Sequence, residues 1–263
     1  MKSINPHQFQ ALILDMDGVL WRGEKLLGDL PDIFAKIDQL GLRLVLATNN
    51  ASRSPQQYLE KFRSLGITLE LPQIINSAQA TAYYLLQRHP HGGPVFIIGE
   101  EGLSTTLQEQ GFYHADQNVL AVVASLDRAI TYQKLKQATL LIRAGVPFIG
   151  TNADNSYPSP EGLLPGAGAI LAAIETASDT KPILIGKPQP VLYELALRSL
   201  GTTREATLMV GDRLETDIAG AQNFGCASAL VLSGVTSFEM AQDWQPAPDF
   251  IAADLTELLT QLE

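Results

Sequence analysis

The stretch that most constrains this chain is residues 11–20, Ala-Leu-Ile-Leu-Asp-Met-Asp-Gly-Val-Leu. Four consecutive apolar residues predict a strand covered on both faces, because parallel strands between helix layers show continuous apolar runs and no alternation. The run stops at Asp15, which places that carboxylate at the carboxyl end of the strand, where open α/β sheets bind ligands. Asp17 falls on the same side of an extended chain. Gly18 permits a sharp exit and a close backbone approach. Two carboxylates this near each other repel unless a cation, a shared proton or a donor stands between them. Taken alone, the pair fits a metal site, a calcium loop or a solvated turn.

The same event recurs along the chain. Residues 42–47 form a second apolar run that stops at Thr48-Asn49-Asn50. Residues 183–186 make a strand-like approach to Lys187, and residues 206–210 run into Gly211-Asp212, with Asp217 five positions on. Helical patterns over 31–40 and 54–65, each followed by glycine, separate the first strands and predict a β-α-β-α-β start. The middle third predicts strands at 95–99, 120–125 and 146–150, alternating with helices at 101–110 and 131–144. Its last loop, 151–158, carries Tyr157. The predicted fold class is α/β: a Rossmann-like parallel-sheet core, residues 1–77 and 182–263, with a smaller α/β domain inserted at 78–181.

Composition supports this reading. Of 263 residues, 46% are hydrophobic and 17% charged, which suits a chain with a sizeable core and little disorder. A net charge of −10 argues against a nucleic-acid backbone as partner. No signal peptide is evident and no apolar stretch approaches the length of a membrane span, so a soluble cytoplasmic protein is expected. The single cysteine, Cys226, excludes an internal disulfide and reads as a small buried hydrophobe.

Asp15, Asp17 and Asp212 at neighbouring strand ends would form a hard, oxygen-rich site. Such a site suits magnesium, which takes one or two carboxylates and keeps water and phosphate oxygens in its remaining positions. Thr48, Asn49 and Lys187 add a hydroxyl, an amide and a fixed positive charge, donors matched to the oxygens of a transferring phosphoryl group. One carboxylate can then attack phosphorus, and a second can protonate the leaving oxygen and later deprotonate water.

The set Asp15-Met16-Asp17-Gly18-Val19, Thr48-Asn49, Lys187 and Gly211-Asp212…Asp217 resembles the four motifs of haloacid dehalogenase superfamily phosphatases, in the family's order. Thr48-Asn49-Asn50, Gly186-Lys187-Pro188 and the long insertion resemble the class IIA subgroup of p-nitrophenyl phosphatases and NagD-type ribonucleotide monophosphatases. The resemblance implies that Asp15 is the nucleophile and Asp17 the general acid/base. It also implies that magnesium is held by Asp15, Asp212 and the backbone carbonyl of Asp17. Thr48, Asn49 and Asn50 would bind substrate, Lys187 would hold phosphate and nucleophile, and Asp217 would orient Lys187 or a metal-bound water. The insertion would be a cap over the active site, through which two copies could pair. Tyr157 would either touch the leaving group or pack against Pro158. The expected substrate is a small phosphorylated metabolite. A receiver-like phosphoaspartate switch and a catalytically silent binding relative are the alternatives; a D-x-D glycosyltransferase lacks a recognisable nucleotide-sugar site.

Other motifs read more plainly. Trp21 reads as a packed flap residue. Gly166-Ala167-Gly168 has Leu171 where a dinucleotide fingerprint needs glycine, and reads as a helix start. His89 and His91 have no cysteine nearby and read as a solvated loop.

Overall fold

The fold is taken from a computed structural model that describes residues 8–159 and 161–263, apart from the side chain of Pro158. The chain divides into two compact units. The first comprises the chain up to Thr48, Tyr58–Ile75 and Lys187–Glu263; the second comprises Asn49–Gln57 and Asn76–Gly186.

The first unit opens with β1 (Ala11–Leu14), whose four residues are all fully buried. Burial of Leu12, Ile13 and Leu14 contributes about 1.5–3 kcal/mol each relative to exposure. A tight turn leads into a small hairpin, β2 (Trp21–Arg22) and β3 (Lys25–Leu26). Helix α1 (Leu30–Gln39) follows, capped by Asp29, whose side chain accepts from the Asp32 backbone N–H. Its Leu30, Ile33 and Ile37 recur on one face and are buried. Then come β4 (Arg43–Thr48), α2 (Pro55–Ser64) and β5 (Ile74–Asn76).

The second unit continues with α3 (Ser77–Leu86), β6 (Gly93–Ile98), α4 (Glu101–Glu109), β7 (Phe112–His114), β8 (Val122–Ala124), α5 (Tyr132–Arg143) and β9 (Phe148–Gly150). An antiparallel hairpin, β10 (Ser156–Ser159) and β11 (Gly162–Pro165), precedes α6 (Ala167–Ser178) and β12 (Ile183–Leu184). Its five-stranded parallel sheet has the order β12-β9-β8-β6-β7. The apolar pair Ile183–Leu184 therefore completes this sheet, and the chain does not return to the first unit until Lys187.

On return, α7 (Pro190–Leu200), β13 (Thr207–Gly211), α8 (Ala219–Phe224), β14 (Ala227–Val231), α9 (Phe238–Asp243), β15 (Phe250–Ala252) and α10 (Leu255–Gln261) complete the first unit. The six-stranded sheet has the order β15-β14-β13-β1-β4-β5, with β1 parallel to both its neighbours. Successive strands move outward in opposite directions from the β1–β13 pair. That reversal opens a crevice at the carboxyl ends of these two strands, the position where such sheets bind ligands.

Candidate active site

Register brings the site together. Leu14 pairs with Val210, and the Asp15 N–H donates to the Val210 carbonyl at 2.9 Å, so Asp15 and Asp212 leave adjacent strands side by side. On the other flank, Leu14 pairs with Leu46, and β4 ends at Thr48. The Lys187 ammonium enters between them. Its Nζ donates to Asp15 Oδ1 at 2.6 Å and to the Ala47 carbonyl at 3.0 Å, and forms an ion pair with Asp217 Oδ1 at 2.7 Å. Asp15, Thr48, Lys187, Asp212 and Asp217 are all buried.

Asp217 lies in a π-helical turn, Leu214–Ile218, that precedes α8. Such turns are rare and often sit at functional sites. Asp217 Oδ2 accepts from the Arg213 N–H at 3.1 Å. From α7, the fully buried Tyr193 donates its hydroxyl to the carbonyls of Thr216 and Asp217, both at 3.2 Å. A phenol with backbone partners carries no sequence motif, and this support for Asp217 was not legible beforehand.

Three buried carboxylates surround one ammonium, so the metal-free site carries an excess of negative charge. Oxygens of Asp15, Asp212 and Asp217 lie within 4.8 Å of one another. Burial, and then the charges of Asp217 and Asp212, push the Asp15 carboxyl well above its ordinary range against the pull of Lys187. Burial and Asp217 push Asp212 up to about 6. For Lys187, burial works against the charge, but Asp15 and Asp217 outweigh it and hold the amine protonated. Asp212 Oδ1 is buried with no hydrogen-bond partner among the described residues. An orphaned anionic oxygen in a crowded acidic pocket fits a divalent cation, which supplies the missing charge and the missing partner together.

The loop after β14 secures Asp212. The Val235 N–H donates to Asp212 Oδ2 at 2.7 Å, and Ser233 Oγ donates to the Gly18 carbonyl at 2.7 Å. Arg22 closes the clasp by donating to the carbonyls of Ser233 (2.5 Å) and Gly234 (2.8 Å). Gly18, at φ +84°, and Gly234 flank the Asp212 carboxylate, and a methyl group at either position would overlap it. Gly234→Ala is expected to lower kcat/KM by about tenfold or more, since a misplacement of about 1 Å within a site can cost up to about 10²-fold. The loss should be accompanied by weaker divalent-cation binding in calorimetry. An alanine variant with unchanged kinetics would mean that Asp212 need not stand where it does.

Asp17 is exposed, and its Oδ1 accepts from the Trp21 indole N–H at 3.0 Å. Asn49, Asn50 and Tyr157 belong to the second unit. There the Asn49 carbonyl accepts from Ser77 Oγ (2.5 Å) and Asn152 Nδ2 (2.8 Å). Asn50 Oδ1 accepts from the Ser52 N–H (2.9 Å) and hydroxyl (2.7 Å). The Tyr157 hydroxyl accepts from Arg128 Nε at 3.0 Å, while Arg128 Nη1 reaches both Glu100 oxygens at 2.7 Å. Packing of Tyr157 on Pro158 lies outside what is described. Residues 151–158, read as one loop, in fact run into the hairpin strand β10. Cys226 is buried, which raises its thiol to about 12. His91 is exposed, and neither His89 nor His91 joins a metal-competent cluster among the described residues.

A buried carboxylate held by a lysine at a topological switch point suits phosphoryl transfer, and known proteins resemble this chain in the same sense. Residues 12–113 match the haloacid dehalogenase-like hydrolase family, and residues 184–258 match a HAD-hydrolase-like family. An acid sugar phosphatase of Staphylococcus aureus is 36% identical over 257 residues, covering 97% of this chain and 99% of the relative. The structure of a 4-nitrophenylphosphatase from Thermotoga maritima aligns with a TM-score of 0.93 at 33% identity, covering 99% of this chain and 100% of that one. A glycerol phosphate phosphatase from Mycobacterium tuberculosis, solved with magnesium, gives 0.88 at 34% identity, covering 97% of this chain and 78% of that one. The chain belongs to the haloacid dehalogenase-like hydrolases. It is a phosphatase of the class IIA kind, with an α/β fold and a parallel-sheet core. The receiver-like and silent-binder alternatives are not favoured. Among the described residues no helix is long and apolar enough to cross a membrane.

Proposed function

We propose that this protein is a magnesium-dependent, cytoplasmic phosphatase that hydrolyses small phosphorylated metabolites through an aspartyl phosphate on Asp15. The observation that carries the reading is the bridge made by Lys187 between Asp15 and Asp217, beside the partnerless Asp212 Oδ1. Asp15, Asp212 and the Asp17 carbonyl would hold the cation. When bound, magnesium neutralises charge on the phosphate and on the carboxylates.

The rest falls to the chain's own side chains. Lys187 anchors Asp15 Oδ1, favouring the ionised carboxylate against burial and leaving its other oxygen to meet phosphorus. The Asp15–phosphorus bond forms as the bond to the leaving oxygen breaks, and Asp17 gives that oxygen its proton. Asp17 then takes a proton from water, whose oxygen attacks phosphorus and releases Asp15 and inorganic phosphate. Thr48, Asn49 and Asn50 are proposed phosphate-binding groups, and Tyr157 a leaving-group contact. Asp217 positions Lys187. The proposed domain division keeps catalysis in the core and leaves substrate choice to the inserted cap.

The relatives' names, acid sugar phosphatase and glycerol phosphate phosphatase, support testing sugar and glycerol phosphates first. Phosphate release is expected from several such esters and from p-nitrophenyl phosphate with magnesium, and is expected to vanish with chelator. Rapid quenching should leave a phosphoryl adduct on the peptide containing Asp15. A panel without turnover at any magnesium concentration would end this reading.

A further inference from the structure

Trp21 is 2% exposed and packs against Phe62, with ring centroids 5.4 Å apart. Burial of a large aromatic ring is reason enough for a tryptophan at this position, but three observations go beyond packing. The indole N–H is spent on Asp17 Oδ1 at 3.0 Å. The Trp21 carbonyl accepts from the Gly18 N–H at 2.7 Å, closing the turn that carries Asp17. The Lys61 ammonium lies 3.4 Å from the centroid of the indole ring. A cation over the π face draws electron density from the ring and makes its N–H a stronger donor.

We infer that Trp21 is a positioning residue that fixes which oxygen of Asp17 exchanges the catalytic proton. The inference rests on the phosphatase reading above. The chemistry is one of inventory: indole nitrogen can only donate, and the carbonyl oxygen of a protonated carboxyl group is a better acceptor than its hydroxyl oxygen. The bond to Oδ1 therefore favours the transferable proton on Oδ2, and the buried ring gives the carboxyl plane a fixed partner. Without the indole N–H that preference between the two oxygens is lost, so fewer encounters would present the protonated oxygen to the leaving group.

Such a role shows itself through the leaving group. Expulsion of p-nitrophenolate, a weak base, gains little from an acid, whereas expulsion of an alkoxide depends on one; general acids contribute about 10²–10⁴-fold. Trp21→Phe keeps the ring and removes the donor. Its kcat/KM is expected to fall about tenfold for an alkyl ester such as glycerol phosphate and less than about threefold for p-nitrophenyl phosphate, with KM for both little changed. Equal losses for the two esters, or none, would overturn the inference. A second measurement does not depend on that variant folding. The chain has two tryptophans, and Trp244 donates to the neutral Gln222 amide at 3.3 Å. In a ¹⁵N-labelled sample, Asp17→Asn should move the Trp21 indole N–H resonance and leave that of Trp244 in place; an unmoved Trp21 resonance also overturns the inference. Should the wild-type chain turn over neither ester, it is the phosphatase reading that fails, and the resonance test still reports on the hydrogen bond.

Discussion

Asp15→Asn is expected to abolish turnover, with a loss of roughly 10⁴-fold or more, the scale seen when a covalent nucleophile is removed. The amide has no anionic oxygen to form the bond to phosphorus, so no phosphoenzyme can accumulate. The fold should survive the change. Lys187 keeps its 2.7 Å ion pair with Asp217 and its hydrogen bond to the Ala47 carbonyl. Removal of one of three crowded carboxylates also relieves the repulsion that, after burial, pushes Asp15 upward. The melting temperature of the variant should therefore be no lower than that of the wild type in the absence of metal. Phosphate release from p-nitrophenyl phosphate, quenched-flow labelling and thermal melting together decide the matter. A folded Asp15→Asn protein with ordinary turnover would remove Asp15 from the chemistry altogether.

Much of this site could be read before any coordinates, for a physical reason. In a parallel sheet the chain must reverse through helices, so every strand's carboxyl end lies on one edge, and polar residues that end apolar runs are collected there. Asp15, Thr48 and Asp212 follow that rule, and Lys187 opens the segment that returns to the same edge. What escaped was whatever acts through the backbone or depends on a distant partner. The loop at 233–235 holds Asp212 with one N–H and a missing side chain, and neither leaves a pattern in the residue types. Tyr193 supports Asp217 through two carbonyls. Ile183–Leu184 reads as the start of the returning core segment, but pairs with β9, because two apolar residues do not specify their neighbour in a sheet. Trp21 was legible as a packed residue; its hydrogen bond to Asp17 was not, since an indole's polar handle is silent until its partner is placed.

Magnesium is expected to stabilise this protein in a pH-dependent way set by Asp212. In the metal-free fold that carboxyl group is raised from 3.8 to about 6 by burial and by Asp217. A raised acid contributes stability that is fully present below its unfolded value and is lost as pH rises through the folded one. The metal-free protein should therefore lose stability between about pH 4 and pH 6, by roughly 3 kcal/mol from this group, with Asp15 adding to the loss in the same direction. A cation needs the ionised carboxylates and binds only once they have lost their protons. Saturating magnesium should thus leave the melting temperature unmoved at about pH 4 and raise it at about pH 8, by roughly 5 °C or more if 100-fold above its dissociation constant. Asp212→Asn should cancel the response at about pH 8 and raise the metal-free melting temperature there, while lowering turnover about 10²-fold or more. Differential scanning calorimetry across this range, with and without chelator, tests each sign. A magnesium response that persists in Asp212→Asn, or that is largest in acid, would mean that the cation is held elsewhere and that the partnerless oxygen beside Asp15 has another use.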